Sequence, residues 1–121
     1  MYEIIFYDSG SGHCPVQEFL DSLPPKLLAK TLRTIDLLEA NGPFLREPYS
    51  KSLDGEIFEL RTKQGSNITR IIYFFFIGKK IILTNGFIKK TQKTPKKELE
   101  LALKRKAEYE RRNHDEQLSG I

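Results

Sequence analysis

The stretch ITRIIYFFFI, Ile68–Ile77, decides the fold. Nine of its ten residues are β-branched or aromatic, and they occupy odd and even positions alike. Such residues favour strands, and a strand that is apolar at both parities has both faces buried. The stretch therefore predicts the central strand of a sheet that is covered on both sides.

Two further strands are predicted beside it. EIFELR, Glu56–Arg61, alternates in polarity, and IILTNGFI, Ile81–Ile88, is again rich in β-branched residues. The links to the central strand are the short turns Lys63–Asn67 and Gly78–Lys80. Because short links join antiparallel neighbours, we expect a small, mainly antiparallel sheet.

The first third of the chain predicts one strand and a helical hairpin. Tyr2–Tyr7 has strand composition, and Val16–Leu23 suits a short helix. A second helix is predicted over Lys26–Ala40, with Pro25 in its first turn and Asn41-Gly42-Pro43 as its stop. The apolar residues of that helix at helical spacing are Leu28, Leu32, Ile35 and Leu38.

The remaining segments complete a single α+β domain over residues 1–121. Phe44–Asp54 is interpreted as a loop. Thr94 and Pro95 suit the N-cap and first position of a closing helix that runs to about Arg112. Residues 113–121 are interpreted as a polar, flexible tail. The predicted order is β–α–α–β–β–β–α.

Composition narrows the class of protein. Cys14 is the only cysteine, the N-terminus has no basic leader, and the longest apolar run is too short to span a bilayer. We therefore expect a cytoplasmic protein without a membrane segment. The sequence has no phosphate-binding glycine loop, no HExxH and no GxSxG, and we expect neither a metal nor another cofactor.

The charges are distributed unevenly along the chain. Residues 1–60 carry five Lys/Arg and ten Asp/Glu, whereas residues 61–106 carry thirteen Lys/Arg and only Glu98 and Glu100 as acids. A basic segment of this kind is typical of nucleic-acid binding, although a solvated, solubilising face is the simpler alternative.

Four cations at strand ends are the candidate catalytic residues: Arg61, Arg70, Lys89 and Lys90. Hairpin connections bring strand ends together, so these side chains are expected around one face of the sheet. The alternatives are that Arg61 pairs with Glu59 or Glu56, that Arg70 caps the sheet, and that the lysines protect a strand edge.

A second set of residues is predicted to contact RNA: Lys63, Tyr73, Gln92, Lys93, Lys96 and Lys97. For Tyr73 the alternative is a core aromatic with a satisfied hydroxyl. The helix that follows Pro95 also offers free backbone amides to an anion.

Three runs in this order carry a family resemblance: LDGEIFELR, ITRIIYFF and IILTNGFIKKTQKTPKKELELALKR. Together they resemble the phage-derived HigB-type toxins of the RelE superfamily. The most specific part is GFIKKTQKTP followed by a helix. The resemblance implies a RelE-like fold and places Arg61 and Arg70 at the family's phosphate-binding arginines, with Lys89 or Lys90 at a basic position.

The resemblance also implies an activity and its partners. Such toxins belong to type II toxin–antitoxin modules and cut mRNA in the A site of the 70S ribosome without a metal, by attack of the RNA 2′-hydroxyl on the adjacent phosphate. A HigA-type helix-turn-helix antitoxin neutralises them and binds the operator DNA. Some members use a histidine base, and here no histidine lies in the basic segment. The alternatives are a non-catalytic nucleic-acid-binding module and a gyrase-targeting ParE-like toxin.

Overall fold

The computed structural model describes residues 1–89 and 93–115, which form a five-stranded mixed sheet and three α-helices. The strands are β1 (Glu3–Phe6), β2 (Ser50–Leu53), β3 (Ile57–Gln64), β4 (Asn67–Phe76) and β5 (Lys80–Ile88). The helices are α1 (Pro15–Asp21), α2 (Pro25–Asn41) and α3 (Lys96–Arg112), and a 3-10 turn at Gly42–Phe44 follows α2. The α+β class is confirmed.

The strand predicted to be central is central. The order across the sheet is β1-β5-β4-β3-β2, so that β4 lies in the middle and pairs antiparallel with β3 and β5. β2 pairs antiparallel with β3, whereas β1 joins β5 in parallel. The register sets Arg61 directly opposite Arg70.

Both faces of β4 are buried, as its composition predicts. On one face Ile71 and Tyr73 pack with residues of α1 and α2. On the other face Ile72 and Phe74 pack with residues of α3, including Tyr109. The sheet is therefore the middle layer between a helical pair and a single helix.

The segment predicted as a loop contains a strand. Ser50–Leu53 forms β2, which pairs with Ile57–Leu60 through the turn at Asp54–Glu56. Lys51 and Ser52 are exposed at the edge of the sheet, so this strand lacks the apolar alternation that marks its neighbours. The loop prediction is wrong over these four residues.

The buried stripe of α2 also differs from the predicted one. Leu32 is exposed, and the buried residues are Leu27, Thr31, Thr34, Ile35 and Leu38. The two threonines can be buried because their hydroxyls are bonded: Thr31 shares a hydrogen bond with Thr69 of β4, and Thr34 donates to the Lys30 carbonyl. The prediction is therefore confirmed for Ile35 and Leu38, holds in part for Leu28, which is half-buried against the core, and is wrong for Leu32.

No helix in the described part of the chain is long and apolar enough to cross a membrane. Of the predicted tail, Asn113–Asp115 continue from α3, and residues 116–121 lie outside the described residues.

Gly86 sets how closely α1 approaches the sheet. A Cβ atom added to Gly86 would lie 2.4 Å from Cδ2 of Phe19, so the ring of Phe19 occupies the space above this glycine. The ring is packed against the core beneath α1 and α2.

We expect Gly86→Ala to destabilise the protein by about 1–3 kcal/mol, because the added methyl group overpacks this contact. Urea denaturation measures the loss. Combining the substitution with Phe19→Leu, which removes the opposing ring atoms, should recover part of it. Additive losses in the double variant would contradict the close contact.

Candidate functional site

The centre of the candidate site is a carboxylate, Glu59, that is fully buried in β3. Its Oε1 accepts a hydrogen bond from Nε of Arg61 at 2.8 Å and lies 3.5 Å from Nη1 of Arg70. Its Oε2 accepts a hydrogen bond from Oγ1 of Thr94 at 2.5 Å. One side chain thus joins β3, β4 and the segment that leads into α3, and charge-assisted bonds of this kind are the strong ones.

Arg61 is the more accessible of the two arginines. Its side chain keeps 17% of its surface exposed, and its Nη2 is buried without a hydrogen-bond partner among residues 1–89 and 93–115. The Nε bond to Glu59 fixes the guanidinium plane, and the exposed part of the side chain can meet a ligand. The sequence alternative that Arg61 pairs with Glu59 is confirmed.

Arg70 is brought to the same carboxylate but is not exposed. The predicted convergence of Arg61 and Arg70 is therefore present, although it forms around a buried acid. Arg70 has no surface with which to touch a ligand, so any influence it has on a ligand passes through Glu59 and Arg61.

Thr94 does not have the role predicted for it. The N-cap of α3 is Pro95, the helix begins at Lys96, and no side chain caps it. Thr94 is buried, and its hydroxyl donates to Glu59 instead. An unpaired buried carboxylate oxygen costs more free energy than an uncapped, solvated helix end, which explains the preference.

The predicted lysines differ in how far they are buried. The half-buried Lys89 follows β5, and its backbone N–H donates to the Ile68 carbonyl at 3.0 Å. Lys63, Lys93, Lys96 and Lys97 are exposed. The predicted sites at Lys90 and Gln92 lie outside the described residues.

Tyr73 lies in the core. It is 1% exposed, and its hydroxyl shares a 2.6 Å hydrogen bond with Ser50. Burial leaves the side chain no surface with which to contact RNA, so the structure supports the alternative reading of a satisfied core aromatic. Burial raises the pKa of this hydroxyl above its usual value, against a smaller opposing effect of the Ser50 hydrogen bond.

A cavity of about 440 Å³ opens beside Arg61, at the edge of β3. It is lined by Lys30 and Thr34 of α2, Pro48 and Tyr49 before β2, Arg61, Thr62 and Lys63 of β3, and Ile68 of β4. Sequence reasoning found Arg61 and Lys63 but missed the others. Lys30 and Tyr49 carry no motif, and only the fold brings α2 and the β2 approach to this edge.

Glu59 itself was considered only as a partner of Arg61. EIFELR held a signal, because the apolar Ile57 lies on the same strand face as Glu59 and favours burial of that face. A buried acid requires cationic or hydroxyl partners, and these were the neighbouring arginines and Thr94.

Two comparisons with known proteins bear on this chain. The family model described as Phage derived protein Gp49-like (DUF891) matches residues 18–107, a span from α1 to α3 that contains Glu59, Arg61, Arg70 and Thr94. No curated protein matches the chain.

We expect Glu59→Gln to lower the free energy of unfolding by about 3–5 kcal/mol, because it leaves buried cationic groups without their carboxylate. Urea denaturation measures the change. Glu56→Gln is the matched control, since Glu56 is exposed, and should stay within about 0.5 kcal/mol of the wild type. Equal stabilities of the two variants would contradict a central role for Glu59.

The raised pKa of Tyr73 should make the stability of the protein depend on pH in the alkaline range. Its pKa in the folded protein is raised, so the unfolded chain releases this proton first, from about pH 10. The contribution of Tyr73 to stability is thus complete below pH 10 and is lost as the pH rises through the folded-state pKa.

Chemical denaturation from pH 8 to pH 11 should show a steeper decline in the free energy of unfolding for the wild type than for Tyr73→Phe. If the free energies of unfolding of the two proteins fall equally with pH, burial does not raise the pKa of Tyr73. Tyr7, whose pKa is also raised by burial, contributes equally to both proteins.

Proposed function

Because the chain belongs to the phage-derived Gp49-like family, a toxin-like family of toxin–antitoxin systems, we propose that it is the toxin of a type II module. In this proposal the protein has a HigB-type, RelE-like activity: it cleaves mRNA in the ribosomal A site as a metal-independent endoribonuclease. A HigA-type antitoxin holds this activity in check.

The observation that carries the proposal is the state of the Arg61 guanidinium. Glu59 holds its Nε, whereas Nη2 has no hydrogen-bond partner in the described part of the chain. A fixed guanidinium with one unused donor and 17% of its side-chain surface exposed is suited to a phosphate, the group that guanidinium donors bind strongly.

The proposed reaction needs this cation in the transition state. When the 2′-hydroxyl attacks the neighbouring phosphate, negative charge builds up on the phosphoryl oxygens. A donor that is already in position stabilises this charge without reorganising, and one such donor is worth about 10²–10³ in rate. Arg61 is the proposed donor, and Lys89 or Lys90 is the proposed group for proton transfer.

Glu59 and Arg70 act in this proposal as positioning residues. Both are buried, and neither reaches the substrate. Arg70 shares the carboxylate of Glu59 with Arg61, which keeps the carboxylate aligned toward Arg61.

One observation favours a second candidate function, RNA binding without cleavage. Arg70 is fully buried, and the Nε of Arg61 is already engaged by Glu59. If these ion pairs persist on the ribosome, a single guanidinium edge holds the phosphate, which suits affinity more than catalysis.

Arg61→Ala tests the proposal more cleanly than any change at Arg70, because Arg70 is locked in the core. We expect Arg61→Ala to reduce mRNA cleavage at least about 100-fold and to relieve growth arrest. Mapping the 5′ ends of cellular messages after brief induction measures cleavage. Arg111→Ala, at an exposed position near the end of α3, should cut like the wild type.

Two results would count against the nuclease. If Arg61→Ala cuts messages as fast as the wild type, Arg61 is not the phosphate donor. If the wild type arrests growth while messages stay intact, the chain binds RNA without cutting it or acts on another target such as gyrase.

A further inference from the structure

The cavity beside Arg61, which we call the notch, forms because β2 is shorter than its partner β3. Ladder pairing of β2 runs from Ser50 opposite Leu60 to Leu53 opposite Ile57, and the last backbone bond on this edge joins Arg61 N–H to the Tyr49 carbonyl at 2.8 Å. Beyond Arg61, β3 continues as an open edge, and α2 closes the far side of the notch through Lys30 and Thr34.

The open edge offers backbone hydrogen-bonding groups. In an antiparallel strand, alternate residues direct their N–H and C=O groups to the same side. Since the N–H of Arg61 faces the β2 side, the backbone groups of Lys63 face it too. No strand in the described part of the chain pairs with Lys63 on that side.

The side chains around the notch combine positive charge with an exposed aromatic ring. Lys30 and Lys63 are exposed, and Arg61 lines the same cavity. Tyr49 is 43% exposed, although its backbone is held by the Arg61 N–H and by its own bond to the Arg46 carbonyl. Tyr49 is thus fixed through its backbone and partly exposed through its side chain.

We propose that this notch is a binding subsite for one unpaired nucleotide of single-stranded RNA: the base stacks on Tyr49 and bonds the open edge of β3, and Lys30 and Lys63 hold a flanking phosphate. The choice of RNA as the ligand rests on the proposed function, and the subsite adds Tyr49 and Lys30 to it.

Size and chemistry both fit this ligand. The 440 Å³ of the cavity lie within the range of about 300–1,000 Å³ that is usual for small-ligand sites, which suits one nucleotide but not a duplex. An acidic peptide would also meet the lysines, but an exposed aromatic ring beside lysines matches a nucleotide more closely, since its base stacks and its phosphate is charged. Stacking on aromatic side chains together with cations along the backbone is how proteins hold single strands.

The subsite is adjacent to the proposed phosphate donor. Tyr49 and Arg61 are joined through their backbones, and Arg61 lines both the notch and the cluster around Glu59. In this proposal the phosphate next to the bound nucleotide reaches Arg61 around the edge of β3, and the subsite sets the register of the strand.

Equilibrium binding of a fluorescent, single-stranded 2′-O-methyl RNA to the full chain tests this inference, because the methyl groups prevent cleavage. We expect Tyr49→Ala to weaken binding roughly 5- to 100-fold, the usual value of one base–aromatic stack, and Tyr49→Phe to bind like the wild type. Lys30→Gln should also reduce the salt dependence, by about 0.7 in the slope of log K against log salt.

Matched controls are available elsewhere on the surface. Phe44→Ala removes an aromatic ring that is 72% exposed and does not line the notch. Lys79→Gln removes an exposed lysine beyond the far end of β4, about 30 Å away along that ten-residue strand. Both should bind RNA as the wild type does, and unchanged melting temperatures establish that each variant is folded.

The outcomes separate the subsite from the nuclease. If Tyr49→Ala and Lys30→Gln bind RNA as tightly as the wild type, or if the wild type binds a glutamate-rich peptide but no RNA, the subsite is overturned. If the two variants lose RNA affinity while messages in cells remain intact, the subsite stands and the nuclease falls. If messages are cut and the two variants retain their affinity, the nuclease stands and the subsite falls.

Discussion

The carboxylate of Glu59 is the constraint on which the arrangement of this molecule depends. It is buried at the face of the sheet that α3 covers, and it is bonded to Arg61 and Thr94 and close to Arg70. A buried carboxylate is stable only when its partners are fixed, so β3, β4 and the start of α3 must meet in one geometry. This requirement brings both arginines to one carboxylate and leaves Arg61 as the arginine that reaches the surface.

The sequence predicted the parts of the fold that hydrophobic burial alone determines. The run Ile68–Ile77 identified the central strand because its apolar residues occupy both parities, and the three strands that follow Gly55 were found in order. β2 was missed because it lies at an edge, with polar residues outward, and its pairing partner rather than its composition makes it a strand. Thr31 and Thr34 were missed for a related reason, since hydrogen bonds to distant or backbone groups permit their burial.

The sequence predicted which charged residues meet in the candidate site but not how far each of them is buried. The strand-end arginines do meet, yet the register that sets Arg61 opposite Arg70 also brings both to Glu59. Burial then divides their roles, since Arg70 becomes part of the core and Arg61 remains at the surface. Tyr49 and Lys30 had no local signal, because their proximity arises from where β2 ends and where α2 crosses.

The parallel pairing of β1 with β5 bears on how this chain reaches its folded state. Glu3 is paired with Lys80, and Phe6 with Leu83, so the first strand synthesised finds its place only after the fifth has been made. Such contacts between distant parts of a chain slow folding, because a large loop must close before they form. A nascent chain therefore has no complete sheet until β5 has left the ribosome.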